Sequence, residues 1–234
     1  FLYRNHRPEI LDTNWDGTKP LRFKSEPKKY NWHDTVIGDM HSGPEVIDDF
    51  VLVKSDGFPT YNFAHIVDDA DMQITHVIRG QEFLASTPNY LNLYEALELT
   101  PPEIASVPPI MSEAGNKKLS KRDGAKDLLE YREEGYLPEA MTNFLASLGW
   151  NDGSEQEVFS VTELTQKFSL ERIQKSGARF DQRRLLWMNG AHIREMDTEQ
   201  LYKLVSPVDD NPAKEGHTGF WPKEAYDPQY DRTY

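Results

Sequence analysis

The sequence predicts an α/β protein, a parallel sheet with interleaved helices followed by an all-helical region. Between Asp49 and Met111, apolar runs of strand length alternate with amphipathic segments of helix length, the pattern of parallel βαβ units. Beyond Gly124 the apolar residues recur only at helical spacing. At 38% hydrophobic, with 11 Phe, 11 Tyr and 5 Trp among 234 residues, the chain can bury substantial cores.

The elements follow in order. Residues 1–45 are irregular, with "PLRFKS" and "KYNWHDTVIG" as candidate short strands. "DFVLVKS" is a β-branched run closed by the Asp56-Gly57 turn. "PTYNFAHIVDDADM" is a helix placing Tyr61, Ala64, His65 and Asp68 on one face. "ITHVIRG" is a second strand. "STPNYLNLYEALEL" is a helix with Thr87 as N-cap and Pro88 in the first helical position. "EIASVPPIM" is a third strand-like run, so the three runs are expected in one parallel sheet. "AKDLLEYREEG" and "LPEAMTNFLASLG" are helices closed by Gly135 and Gly149, the second with Pro138 in its first turn. "SVTELTQKF" opens on a capping box, Ser160 to Glu163. "DQRRLLWMNG" is a helix ended by Gly190, and "DTEQLYKLV" begins one more.

Composition excludes several classes. Without cysteine there is no disulfide and no thiolate metal site, and the seven histidines lack close pairing, so no zinc is expected. No apolar run approaches the ~18 residues of a membrane helix, and no signal peptide opens the chain. A cytoplasmic setting and no membrane partner are expected. The first residue is Phe1 and the last segment is "AYDPQYDRTY", which suggests a piece of something longer.

Net charge is −13, yet "GNKKLSKRDG" packs four cations into residues 117–122 between Gly115 and Gly124. In a parallel sheet ligands bind beyond the carboxyl ends of the strands, and this loop lies at such an end. Its lysines can reach a polyphosphate; the alternative is a solvated basic loop. The P-loop pattern is absent. "VIRGQEF" sets Arg79 and Glu82 just past a strand. Arg79 offers a planar fork suited to a carboxylate, or the two side chains pair with each other. Tyr61 and His65, one helical turn apart, either line a pocket or pack. Between Lys167 and Arg184, six cations (Lys167, Arg172, Lys175, Arg179, Arg183 and Arg184) face two acids, forming either a phosphate-contacting face or a solvated one.

Taken together, "DDFVLVKSDGFPTYNFAHIVDDADMQITHVIRGQEFLASTPNYLNLYEAL", "KKLSKRDGA", "YREEGYLPEAMTNFLASLGW" and "FDQRRLLWMNGAHIRE" resemble the bacterial-type glutamyl-tRNA synthetases, class I aminoacyl-tRNA synthetases. The resemblance runs in order across nearly the whole chain and is strongest from Asp48 to Glu195. It implies the second half of a Rossmann-type catalytic domain and four parts. Residues 1–47 would end a connecting insertion, 48–125 would carry the second Rossmann half with the KLSKR loop, 126–195 would form the helical stem-contact domain, and 196–234 would begin a helical anticodon-binding domain.

The implied activity is ATP-dependent attachment of L-glutamate to tRNA(Glu) through a glutamyl-adenylate, with Mg²⁺ accompanying ATP, by a monomer. KLSKR resembles the family's KMSKS loop, with Lys121 and Lys118 as catalytic residues. Tyr61, His65 and Arg79 match the glutamate site. Glu82, Met111, Lys118, Leu119, Ser120, Lys121 and Arg122 match ATP contacts, and the six cations of 167–184 match the tRNA side. Gln81, Phe83 and His65 depart from the residues usual in the family. No HIGH-type motif occurs, so the isolated chain is expected to be inactive. Two other readings stand beside this one: a non-catalytic tRNA-binding module, and the glutamyl-queuosine tRNA paralogue, against which "DTEQLYKLV" and "FWPKEAYDP" argue.

Overall fold

The structure, a computed structural model, describes residues 2–8, 15–120 and 126–205. The chain forms two compact units, Phe1–Pro109 with Ser169–Ser176, and Ile110–Phe168 with Gly177–Tyr234.

The first unit contains β1 (Leu21–Arg22), β2 (Tyr30–Asp34), β3 (Gly38–Ser42), β4 (Val51–Val53), α1 (Tyr61–Asp71), β5 (His76–Gly80), α2 (Thr87–Ala96) and β6 (Glu103–Val107). Its four-stranded sheet has the order β3-β2-β6-β5. β5 and β6 run parallel from His76↔Glu103 to Gly80↔Val107, joined by the α2 crossover. β2 is parallel to β6, and β2–β3 is an antiparallel hairpin. This is a mixed α/β architecture with a parallel core, as the alternation of runs predicts.

One strand departs from the expectation. "DFVLVKS" does not enter the parallel sheet; β4 pairs antiparallel with β1 in a separate two-stranded sheet. The Asp56-Gly57 turn folds the chain straight back, so that the Thr60 amide donates to the Leu52 carbonyl at 2.8 Å and its hydroxyl to Val51 at 2.7 Å. With β1 on one side and this return on the other, β4 has no groups left for β6. The place beside β6 falls to β2, from the stretch that looked irregular. The joint is locked by Asp34, fully buried, whose carboxylate accepts from the amides of Val36, Ile37 and Ser106 at 3.0–3.1 Å. A buried carboxylate is tolerated only when so many donors replace its water.

The unit's apolar core is Phe23, Leu52, Ile66, Tyr90, Leu93 and Tyr94. Fully burying a residue such as Ile66 or Leu93 contributes about 1.5–3 kcal/mol relative to exposure. The irregular N-terminal segment is held by polar groups instead. Arg7 forks onto Asp49 with two bonds of 2.6 Å, and Asp49 also accepts from the Ser25 amide and hydroxyl. The cap of α2 differs by one residue from expectation. A 3₁₀ turn, Gln81–Ser86, runs directly into the helix, so Ser86 is the N-cap, and the Thr87 hydroxyl donates back to the Phe83 carbonyl at 3.3 Å.

The second unit begins with a narrow hairpin. Met111 bridges Lys118, the Ser112 amide donates to the Lys117 carbonyl (2.9 Å), and the Leu119 amide to Ile110 (2.8 Å). The helices follow: α3 (Leu128–Glu133), α4 (Pro138–Ser147), α5 (Val161–Lys167), α6 (Gln182–Glu195) and α7 (Thr198–Val205). Capping boxes start α3 (Asp127 with Glu130) and α5 (Ser160 with Glu163). Tyr131, Tyr136, Met141, Phe144, Leu148, Leu185 and Met188 form the core. α6 does not end at Gly190 but continues to Glu195. A mid-helix glycine costs only about 1 kcal/mol, and burial of Ala191 and His192 immediately after it, with His192 Nε2 3.1 Å from Asn143 Oδ1, outweighs it. The "FWPKEAYDPQYD" stretch lies outside the described residues.

Candidate functional site

In the first unit, the carboxyl end of β5 and the facing sides of α1 and α2 bring five side chains into a closed circuit. The Tyr61 ring stacks on His65 (centroids 4.9 Å, 15° between planes), and His65 meets the Tyr90 ring edge-on at 4.6 Å. The Arg79 guanidinium lies 4.8 Å from the Tyr90 centroid and 5.2 Å from that of Phe83. Phe83 returns to Tyr61 at 5.7 Å. Sequence supplies each contact by a different local rule: Tyr61 and His65 by the i, i+4 spacing of α1, Arg79 by the last turn of strand, Phe83 by the 3₁₀ turn after it. Tyr90, which closes the circuit, comes from α2 and was not among the expected site residues; its only sequence signal is an aromatic on a helix whose partners are not local.

The electrostatics of the circuit are unusual. Arg79 is a half-buried cation that makes no ion pair among the described residues, and its Nε is buried without a hydrogen-bond partner. Ring faces hold it through cation–π attraction, worth about 0.5–2 kcal/mol, and leave Nε without a partner. The Arg79 Nε does not make the alternative bond to Glu82. Glu82 instead folds its carboxylate back over Gly80. His65 Nδ1 lies 2.8 Å from the Tyr61 carbonyl, which can only accept, so Nδ1 carries the hydrogen. Burial holds the imidazole below its ordinary value; the Tyr61 carbonyl and the Asp69 and Asp68 charges pull upward, and Arg79 pushes down. Burial raises the Tyr90 phenol, whose hydroxyl donates to Asn62 Oδ1 at 2.9 Å. Such an arrangement can offer a guanidinium N–H to an anion.

In the second unit, Lys118, Leu119 and Ser120 form the returning arm of the hairpin, while Lys121 and Arg122 lie outside the described residues. Met111 is held from both sides. Its amide donates to the Ala178 carbonyl (2.8 Å) and its carbonyl accepts from the Phe180 amide (3.0 Å). Gly115, at φ +72°, lies under the Arg179 guanidinium, where an added Cβ would come within 2.8 Å of Cζ.

The six cations of 167–184 do not share one helix. Arg172 and Lys175 belong to the first unit, Lys167, Arg179, Arg183 and Arg184 to the second. Lys167 bonds Asp152 at 2.6 Å and holds that carboxylate well below the usual range. Lys175 donates to the Ile37 carbonyl at 3.0 Å, and Arg184 stands 4.0 Å from Glu157. Arg172 and Arg183 are exposed. Among the described residues no group of three His, Asp or Glu is placed to hold a metal ion, and no helix is long and apolar enough to cross a membrane.

Residues 9–187 match the family described as tRNA synthetases class I (E and Q), catalytic domain. The chain belongs to this class I tRNA synthetase family. Among curated members, it is 51% identical over 194 residues to a glutamate–tRNA ligase of Heliobacterium modesticaldum and 47% identical over 193 residues to one of Desulfitobacterium hafniense. Each match covers 82% of this chain but 39% of the relative, so the chain spans about two fifths of the length of these synthetases. Among solved structures, the glutamate–tRNA synthetase of Elizabethkingia anophelis superposes with a TM-score of 0.71 at 40% identity, covering 76% of this chain and 40% of that one. A glutamate tRNA ligase of Elizabethkingia meningosepticum, solved in complex with its amino acid, gives 0.71 at 38% identity over 81% of this chain and 43% of its own. The α/β fold with its parallel pair is therefore that of a class I synthetase catalytic domain.

Proposed function

We propose that this chain is part of a glutamate–tRNA ligase. In the proposed reaction a carboxylate oxygen of L-glutamate attacks the α-phosphorus of ATP, pyrophosphate leaves, and the glutamyl-adenylate then esterifies tRNA(Glu) with release of AMP. The names of the relatives support the reaction, and one observation supports the site: Arg79 is a half-buried guanidinium held by rings alone, without an ion pair among the described residues. In this reading Arg79, Tyr61 and His65 receive glutamate. Glu82, Met111 and residues 118–122 receive ATP with its Mg²⁺, Lys118 and Lys121 stabilise the charge growing on the leaving pyrophosphate, and Arg172, Lys175, Arg179, Arg183, Arg184 and Lys167 face tRNA. The corresponding parts are 1–47, 48–125, 126–195 and 196–234, in a monomeric cytoplasmic enzyme.

The test is glutamate-dependent ATP–pyrophosphate exchange by the full-length protein that carries this sequence, with tRNA present. Arg79→Ala should raise KM for glutamate by on the order of 10²-fold, the scale of a lost charge-assisted pair, with KM for ATP little changed. Absence of any glutamate-dependent exchange in the unsubstituted protein would overturn the reading.

A further inference from the structure

We propose that His65 takes up a proton when an acidic ligand places its carboxylate beside Arg79, so that the site becomes a two-cation clamp only while the anion is present. This rests on the glutamate reading above. The geometry carries it. Tyr90 touches both groups, with the His65 ring at 4.6 Å and the Arg79 guanidinium at 4.8 Å from its centroid, so the two are neighbours around one aromatic. The Tyr61 carbonyl fixes the imidazole hydrogen on Nδ1, leaving Nε2 as a lone-pair acceptor. Tyr61 stacks over the ring and holds its plane, so the nitrogen that gains the proton is chosen before the ligand arrives.

The charges around the ring set the direction. On α1 itself Asp68 and Asp69 favour the imidazolium; from β5 Arg79 opposes it; α2 contributes the neutral phenols of Tyr90 and Tyr94, and the 3₁₀ turn reaches the cluster through the uncharged Phe83. Burial adds to the opposition. Without ligand the imidazole therefore gives up its proton more readily than an exposed histidine does. A carboxylate on the Arg79 fork cancels the repulsion and supplies an acceptor for the new N–H at Nε2. Nothing is oxidised or covalently changed. One proton moves from solvent to Nε2 on binding and returns on release. Proton uptake is largest between the free and bound midpoints, and affinity for the acid falls as pH rises through that interval. A carboxylate-bearing ligand is thereby favoured over a neutral isostere beyond what Arg79 alone provides.

The measurement is glutamate binding to the full-length protein by titration calorimetry at pH 6.5 in two buffers of different ionisation enthalpy. The expected result is uptake of several tenths of a proton per glutamate, lost in His65→Gln, together with a several-fold rise in Kd between pH 6 and 8 that the variant does not show. If His65→Gln does not fold, the His65 Cε1–H resonance of the unsubstituted protein reads the same event, since its midpoint should move upward when glutamate is added. Binding with no uptake, uptake unchanged by the substitution, or an unmoved midpoint overturns the proton linkage and leaves the glutamate reading intact. No binding of glutamate at all overturns both.

Discussion

At the scale of single residues, the positions that matter most are those where a polar or strained group has one solution. Asp49 is buried against Arg7 and Ser25, so Asp49→Ala should cost about 1–3 kcal/mol, the scale of leaving those donors without their acceptor. Burial alone would raise this carboxyl, but bonds from Arg7 and Ser25 outweigh it and hold it below the ordinary range. A depressed carboxyl contributes stability above its unfolded midpoint of about 3.9. That contribution fades as pH falls through the lower folded midpoint. Urea midpoints at pH 7 and pH 3 should therefore differ more for the unsubstituted protein than for Asp49→Ala; equal differences would show that the fork adds nothing. Gly115 is the second such residue. A side chain there meets both a left-handed backbone, which costs about 1–2 kcal/mol, and the Arg179 guanidinium. In a double-mutant cycle, Arg179→Ala should relieve only the steric part of the Gly115→Ala loss. Full relief would mean that the backbone carries no strain.

At the scale of elements, α6 shows how packing overrides a local stop signal. Gly190 was expected to end the helix, yet Asn189, Ala191 and His192 are buried around it and the helix runs on to Glu195. A Cβ at 190 would meet only the flexible end of Arg194, at 3.2 Å. Gly190→Ala should accordingly raise stability by about 0.5–1 kcal/mol; a fall in the unfolding midpoint would show that the arginine cannot yield. The capping box of α5 was legible in full, because Ser160 and Glu163 satisfy backbone donors only three residues away. Ser160→Ala should cost about 1 kcal/mol by the same measurement. β4 was legible as a strand but not as to its partner, since a three-residue strand carries no record of which neighbour will complete its hydrogen bonds.

At the scale of the whole molecule, 26 basic residues work against 39 acidic ones, so contact with a polyanion must rely on local charge. If the 167–184 cations face tRNA as proposed, the exposed Arg172 and Arg183 carry more of the salt dependence than Lys167 and Lys175, which already hold Asp152 and the Ile37 carbonyl. Replacing Arg172 and Arg183 by Glu in the full-length protein should flatten the salt slope of tRNA binding by roughly one to two phosphates. An unchanged slope would leave those arginines as solvated surface. The sequence by itself determined the alternation of strands and helices, the glycine stops after α3 and α4, the capping box of α5, the helical second half and the family, because each depends on neighbours within a turn or on an ordered series of motifs. It also placed Tyr61, His65 and Arg79 in one region. Only the tertiary structure decided that β2 rather than β4 lies beside β6, that Tyr90 closes the circuit around Arg79, and that Arg179 lies over Gly115. These are contacts between separate elements of the chain, set by which backbone donors and ring faces remain unsatisfied once the local elements have formed.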